Sequence, residues 1–203
     1  MSERPDEPEN DETALWVVPE APVISEDRLA VAGALFRVSV ILTGGTISKT
    51  YDQRTAVLTN DEPVAKRLIQ ALHVNGAKIK LRELLNKDSL ELTDEDRQTI
   101  LRAVRLSSRR NDAVVVVHGT DTLGQTADLL VENLPDLEVP VILTGAMTPA
   151  VIEGSDGRQN LTEALFAGRL LSPGVYVVFH GQALRCPGVE KDYDAMTFRR
   201  AQV

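Results

Sequence analysis

Residues Ala113–Thr122 read AVVVVHGTDT: an unbroken apolar run that passes straight into a polar loop opening on histidine and glycine. A strand with one wet face alternates apolar and polar side chains. A continuous run therefore suits a central parallel strand covered on both faces. Working outward, Arg37–Leu42 (RVSVIL) is rich in β-branched residues and ends in a Gly-Gly turn, which predicts another buried strand. Downstream come a helix over Leu123–Asn133, a strand over Val139–Leu143, a helix over Asn160–Leu171 and a strand over Val175–Phe179.

Between the first two strands, Val64, Leu68, Ile69 and Leu72 fall at helical spacing within Pro63–Val74, and Asn75-Gly76 stops the helix. Ala77–Leu81 reads as a weaker strand. Thr93, with Asp96 three residues on, is an N-cap, and the helix it opens runs to Arg109-Arg110, the basic end that its dipole favours. Strand and helix alternate five times. The fold class is α/β: an open, mostly parallel sheet with flanking helices, three-layered and Rossmann-like.

A chain of 203 residues suits one domain with a loose tail, and 43% hydrophobic residues are enough for a packed core. The domain is read as 37–203, after an acidic, partly disordered extension over 1–36 that begins MSERPDEPENDE. Leu15-Trp16-Val17-Val18 within that extension has two readings, exposed to solvent or packed on the domain or a neighbouring subunit. The net charge is -8 and Lys and Arg do not cluster along the chain, which argues against a nucleic-acid partner. Cys186 stands alone, so no intrachain disulfide forms. Neither a secretory leader nor a membrane span is visible, and the reading is a cytoplasmic protein without membrane association.

In open α/β sheets ligands bind beyond the carboxyl ends of the strands. Three predicted strands run into Thr43-Gly44-Gly45-Thr46, His118-Gly119-Thr120-Asp121-Thr122 and Thr144-Gly145-Ala146-Met147-Thr148, so these loops share one edge. Their glycines admit a ligand close to backbone N–H groups, and their hydroxyls supply nucleophiles and donors. Taken alone, TGGTI is equally a tight strand-to-helix turn, and it lacks the spacings of phosphate loops. HGTDT alone is equally a helix N-terminus capped by Thr120 or Asp121. His73, His118 and His180 are not spaced as metal ligands, so neither a metal nor a cofactor is expected.

The two motifs together resemble those of the L-asparaginase/glutaminase family. The resemblance extends through KDSLELT (Lys87–Thr93), PVILTGAM (Pro140–Met147), SDGRQNL (Ser155–Leu161) and GVYVVF (Gly174–Phe179), in the family's order, from about Val38 to about Phe198. It implies the fold of that family's N-terminal domain, with no C-terminal domain. It also implies hydrolysis of the side-chain amide of L-asparagine, with L-glutamine a poorer substrate. Thr46 is then the nucleophile, supported by the lid tyrosine Tyr51, whose other reading is a surface residue. Thr120, Asp121 and Lys191 form a second catalytic group, the lysine placed by ungapped counting from Gly174. Ser89 holds the substrate carboxylate and Asp121 its ammonium. Leu90 stands where the family often has glutamine, and Asp88 either compensates or caps a loop. Gly45, Gly119 and the N–H groups around Gly45 and Thr120 line the substrate and its developing oxyanion.

A threonine hydroxyl needs a base within hydrogen-bond reach, and a lysine positioned by an aspartate can serve. A different reading is a non-catalytic amino-acid-binding or regulatory module on the same scaffold. A third is an amidotransferase component acting on charged tRNA, which the acidic balance disfavours. Exposed sheet edges and the missing domain lead us to expect a homodimer or larger assembly.

Overall fold

A computed structural model describes residues 35–59 and 64–201. The acidic extension and Trp16 lie outside the described residues. Five parallel strands and one antiparallel strand form the main sheet, in the order β4-β1-β5-β6-β7-β8. These are β1 (Phe36–Gly44), β4 (Ala77–Lys87), β5 (Ala113–Val117), β6 (Pro140–Thr144), β7 (Gly174–Phe179) and β8 (Gln182–Arg185). The small strands β2 (Thr50–Asp52) and β3 (Val57–Thr59) pair in one hairpin, β9 (Val189–Asp192) and β10 (Thr197–Arg200) in another. The helices are α1 (Val64–Gln70), α2 (Asp94–Ser108), α3 (Leu123–Asn133) and α4 (Gly157–Leu170).

Alternation along the buried strands divides the core into two layers. Ile41, Val114, Val116, Val141 and Leu143 pack against Ile100, Leu101 and Val104 of α2 and Leu123, Ala127 and Leu130 of α3. Val38, Val40, Val115 and Ile142 face Ala65 and Ile69 of α1 and Leu161, Ala164 and Leu165 of α4. This is the three-layer α/β arrangement that the apolar runs imply.

Several elements differ in extent from the sequence reading. The strand expected over Ala77–Leu81 continues to Lys87, because β1 pairs with it up to the Gly44–Lys87 contact. The helix expected over Pro63–Val74 covers Val64–Gln70, and Leu72 N–H bonds back three residues to Ile69, the tightening usual in a last turn. Helix α4 begins at Gly157, three residues before the expected Asn160. Strands β2, β3, β8, β9 and β10 were not anticipated. The turn joining β7 to β8 consists of His180 and Gly181, both at positive φ (48° and 77°), the two-residue geometry that matches strand twist.

A basic surface also emerges, contrary to the sequence reading that Lys and Arg do not cluster. Alternation along β4 sets Lys78, Lys80 and Arg82 on one side, where Arg37 and Arg110 join them around a cleft of about 450 Å³. Lys78, Lys80 and Arg82 alternate along one strand, and Arg37 and Arg110 join them only in the fold.

The cap expected at Thr93 forms in full. Thr93 Oγ1 accepts from Asp96 N–H at 3.2 Å, and Asp96 accepts from Thr93 N–H at 2.9 Å. Lys87 Nζ reaches the same carboxylate at 2.7 Å; it and the Thr93 N–H pull Asp96 down to about 2. Thr93→Ala should lower the unfolding free energy by about 1 kcal/mol in urea titrations, with an unchanged m-value.

Candidate active site

Strand order reverses between β4-β1 and β5-β6, and a crevice opens where chain direction diverges in this way. Leu42 pairs with Val117, so the loops after β1 and β5 leave the sheet at one height. Thr43 Oγ1 ties them by donating to the Val117 carbonyl at 2.9 Å. Beyond that tie the loops touch backbone to backbone. A Cβ on Gly45, whose φ is +83°, would lie 2.4 Å from Gly119 Cα, and a Cβ on Gly119 would lie 2.7 Å from Ser89 Cβ. No side chain fits in either contact, and Thr46 and Thr120 each follow one of the two touching glycines. Ser89 belongs to the turn after β4, so that turn joins the two loops.

Thr46 opens a single 3-10 turn, Thr46–Ser48, and is half-buried. Gly45 N–H donates to the Lys87 carbonyl at 2.9 Å. That bond occupies the donor and removes Gly45 from the oxyanion role expected of it. Ser89 is buried, and its Oγ has no hydrogen-bond partner among the described residues. Such a hydroxyl costs roughly 1–3 kcal/mol unless a bound group satisfies it. Asp88 caps this turn by accepting from Leu90 N–H at 3.1 Å, and it pairs with Lys49 Nζ at 2.6 Å. Burial pushes its carboxyl upward, but Lys49 and the Leu90 N–H outweigh that and hold it below the usual range. Asp88 therefore acts through the turn and through Lys49, and Leu90 is 72% exposed.

The lysine comes from a different part of the fold. Lys191 lies on β9, and its Nζ donates to Thr120 Oγ1 and to Asp121 Oδ1, both at 2.8 Å. Its side chain is only 10% exposed. Across the hairpin Lys191 pairs with Phe198, a buried residue stacked edge-on against Phe179 at 5.0 Å. An amine held between a hydroxyl and a carboxylate is suited to passing a proton. Tyr51 lies on the β2–β3 hairpin and is 60% exposed.

Two supports under the site were not foreseen. Asp156, just before α4, accepts from the N–H groups of Met147 (2.9 Å) and Thr148 (3.0 Å), from Asn160 Nδ2 (2.9 Å) and from His180 Nε2 (2.9 Å). Burial raises its pKa, and the Met147 and Thr148 N–H groups with His180 overcome this and lower it. His180 Nδ1 meets Thr197 Oγ1 at 3.1 Å, so the hairpin bearing Lys191 is fastened to the end of β7. Tyr193 is the second addition. It opens the turn of the β9–β10 hairpin, two residues past Lys191, and its hydroxyl lies 3.2 Å from Asp121 Oδ1. Among the described residues no three His, Cys, Asp or Glu side chains gather to hold a metal ion.

The family model for the N-terminal domain of asparaginase matches residues 37–198. The chain is 39% identical over 145 residues to an L-asparaginase of Thermococcus kodakarensis, covering 70% of this chain and 44% of that protein. It is 32% identical over 151 residues to a glutamyl-tRNA(Gln) amidotransferase subunit of Methanococcus vannielii, covering 73% of this chain and 35% of that protein. Among solved structures, the thermostable L-asparaginase of Thermococcus kodakarensis superposes with a TM-score of 0.69 at 31% identity, over 81% of this chain and 51% of that one. L-asparaginase I of Vibrio cholerae does so with a TM-score of 0.69 at 26% identity, over 84% and 52%. The chain thus spans less than half the length of these curated relatives.

His118, at the head of the β5 loop, is buried. Its Nδ1–H donates to the Gly119 carbonyl at 2.7 Å, and its Nε2 lies 2.9 Å from Thr126 Oγ1, a hydroxyl able to donate to a neutral ring. Burial lowers its pKa from 6.5 to about 4. The unfolded chain takes up this proton first, so the stabilisation is complete above pH 6.5 and is lost as pH falls toward 4. Unfolding free energy should drop across that window by on the order of 3 kcal/mol from this residue. His118→Gln should flatten that slope in denaturant titrations at stepped pH; an identical slope in the variant would refute the assignment.

Proposed function

The chain belongs to the asparaginase family, by its N-terminal domain, and on that premise we propose that it hydrolyses the side-chain amide of L-asparagine with Thr46 as nucleophile. The observation that carries this reading is the Lys191 ammonium, withdrawn from water and 2.8 Å from both Thr120 and Asp121. These groups stand beside a threonine that contacting glycines bring to the same crevice.

Thr46 Oγ attacks the amide carbon, and its proton passes toward the nitrogen. The C–N bond then breaks, ammonia leaves, and an ester to Thr46 remains. Water attacks that ester, its proton is relayed by way of Thr120 and Lys191 to Thr46 Oγ as the acyl C–O bond breaks, and aspartate is released with the threonine hydroxyl restored. Asp121 orients the lysine and offers its second oxygen to the substrate ammonium. Ser89 Oγ, unpartnered and buried, meets the substrate carboxylate. With Gly45 N–H bonded to Lys87, the N–H groups of Thr46 and Thr120 are the donors assigned to the oxyanion, a role typically worth ~3–4 kcal/mol each.

The amidotransferase relatives favour a second reading, in which the amide is that of a glutamine presented by a partner and used for charged tRNA. The basic cleft beside β4 gives this reading a polyanion surface that net charge alone concealed.

Purified protein should release ammonia from L-asparagine. Thr46→Ala and Lys191→Met should each lower kcat by a hundredfold or more, the scale expected for a nucleophile or a proton-transfer group. Glutamine and the D-isomers, assayed alongside, define specificity. Wild-type protein that turns over no free amide but retards tRNA in a mobility shift would replace the first reading with the second.

A further inference from the structure

Lys191 is a lysine on a short hairpin at the margin of the fold, yet its side chain is only 10% exposed. The sheet and Thr120 lie on one side of it. On another side a cleft of about 400 Å³, lined by Asp121, Gln125, Asp128, Gly188, Lys191 and Tyr193, admits solvent up to the pair. Tyr193 covers Lys191 there. Its ring centroid is 4.8 Å from Lys191 Nζ, within the range of a cation–π contact, and its hydroxyl lies 3.2 Å from Asp121 Oδ1. That oxygen also accepts from Lys191. One side chain therefore touches both members of the pair, through different chemistry, while its outer face keeps the residue 62% exposed.

We propose that Tyr193 is a positioning residue for the Lys191–Asp121 pair: its hydroxyl fixes the carboxylate and its ring shields the amine from the cleft. By donating to Oδ1, Tyr193 and Lys191 pin that oxygen from two directions. Oδ2, which no described side chain is shown to engage, is the acceptor left for a cationic ligand group. Partial desolvation and the facing Asp121 carboxylate raise the phenol's pKa, so the hydroxyl stays protonated and keeps donating. Other charges near the cleft are already engaged. Asp128 accepts from Gly188 N–H at 3.1 Å, and Arg199 holds Glu190 at 3.1 Å and Asp192 at 3.4 Å. None of them substitutes for the phenol.

The kinetic part of the test rests on the amide-hydrolysis reading, and the labelling part does not. Tyr193→Phe keeps the ring and removes the hydroxyl; Tyr193→Ala removes both. Limited acylation with a small water-soluble amine reagent, read by peptide mass spectrometry against Lys66 and Lys80 as internal references, reports shielding directly. Lys191 should label about tenfold faster in Tyr193→Ala, and within twofold of wild type in Tyr193→Phe, because the ring is what blocks access. In ammonia release, Tyr193→Phe should lose about tenfold in kcat, the scale of one hydrogen bond to a charged group, with KM rising less than threefold. Tyr193→Ala should lose more, so that the conservative variant is a partial rescue. Wild-type labelling of Lys191 in Tyr193→Ala, at unchanged melting temperature, would overturn the proposal, as would wild-type kcat in both variants. If wild-type protein hydrolyses no amide, the functional reading fails alone and the labelling ratio still decides the role of Tyr193.

Discussion

Three chain segments meet at the carboxyl edge of the sheet with no room for a side chain between them, and the geometry of the site follows from that exclusion. Gly45 lies against Gly119, and Gly119 against Ser89, at separations that any added Cβ would violate. Such contact is possible only because β1 and β5 are in register at Leu42 and Val117 and are tied by Thr43. Register is in turn dictated by the two apolar layers, since a slip of one residue would turn each strand's side chains to the wrong helix layer. Packing energy in the core thus sets the positions of two hydroxyls at the rim.

The amine is positioned by separate means. It stands on a hairpin outside the main sheet, attached through Phe198 on Phe179 and through the bonds running from Asp156 to His180 to Thr197. Asp156 itself is held by the backbone of the loop after β6. The nucleophile loop therefore depends on close backbone contact, and the proton-handling amine on a polar network anchored elsewhere in the fold. A change to either attachment would alter the distance between the two groups without touching either one.

The core and its class were legible because valine runs and helical spacing are strong, local signals. AVVVV at 113–117 and the Thr93–Asp96 cap need no tertiary information. The loops at one edge could likewise be placed, since parallel strands share their carboxyl ends. What escaped reading depended on neighbours distant in the chain. Strand β4 continues past Leu81 only because β1 lies beside it, and His180-Gly181 makes a hairpin turn with histidine where asparagine is the usual signal. Gly45 offers a free N–H in sequence, and in the fold the Lys87 carbonyl occupies it. Tyr193 stands in the turn after β9, where no strand periodicity marks it, and its contact with Asp121 is made 72 residues away in the chain. Asp156 and His180 are separated by 24 residues and join only in the fold.

The two outer strands of the sheet differ from its interior in a way that bears on crowding in solution. At one margin β4 carries Lys78, Lys80 and Arg82 in alternation, and at the other β8 has only four residues and ends in Arg185. Unpaired strand edges are templates on which another chain can add, and cationic side chains or short length discourage such addition. Growth of the sheet from molecule to molecule is thus disfavoured at both margins. The sheet edges therefore do not supply the association that their exposure led us to expect, and copies that associate would do so through helical or loop surfaces.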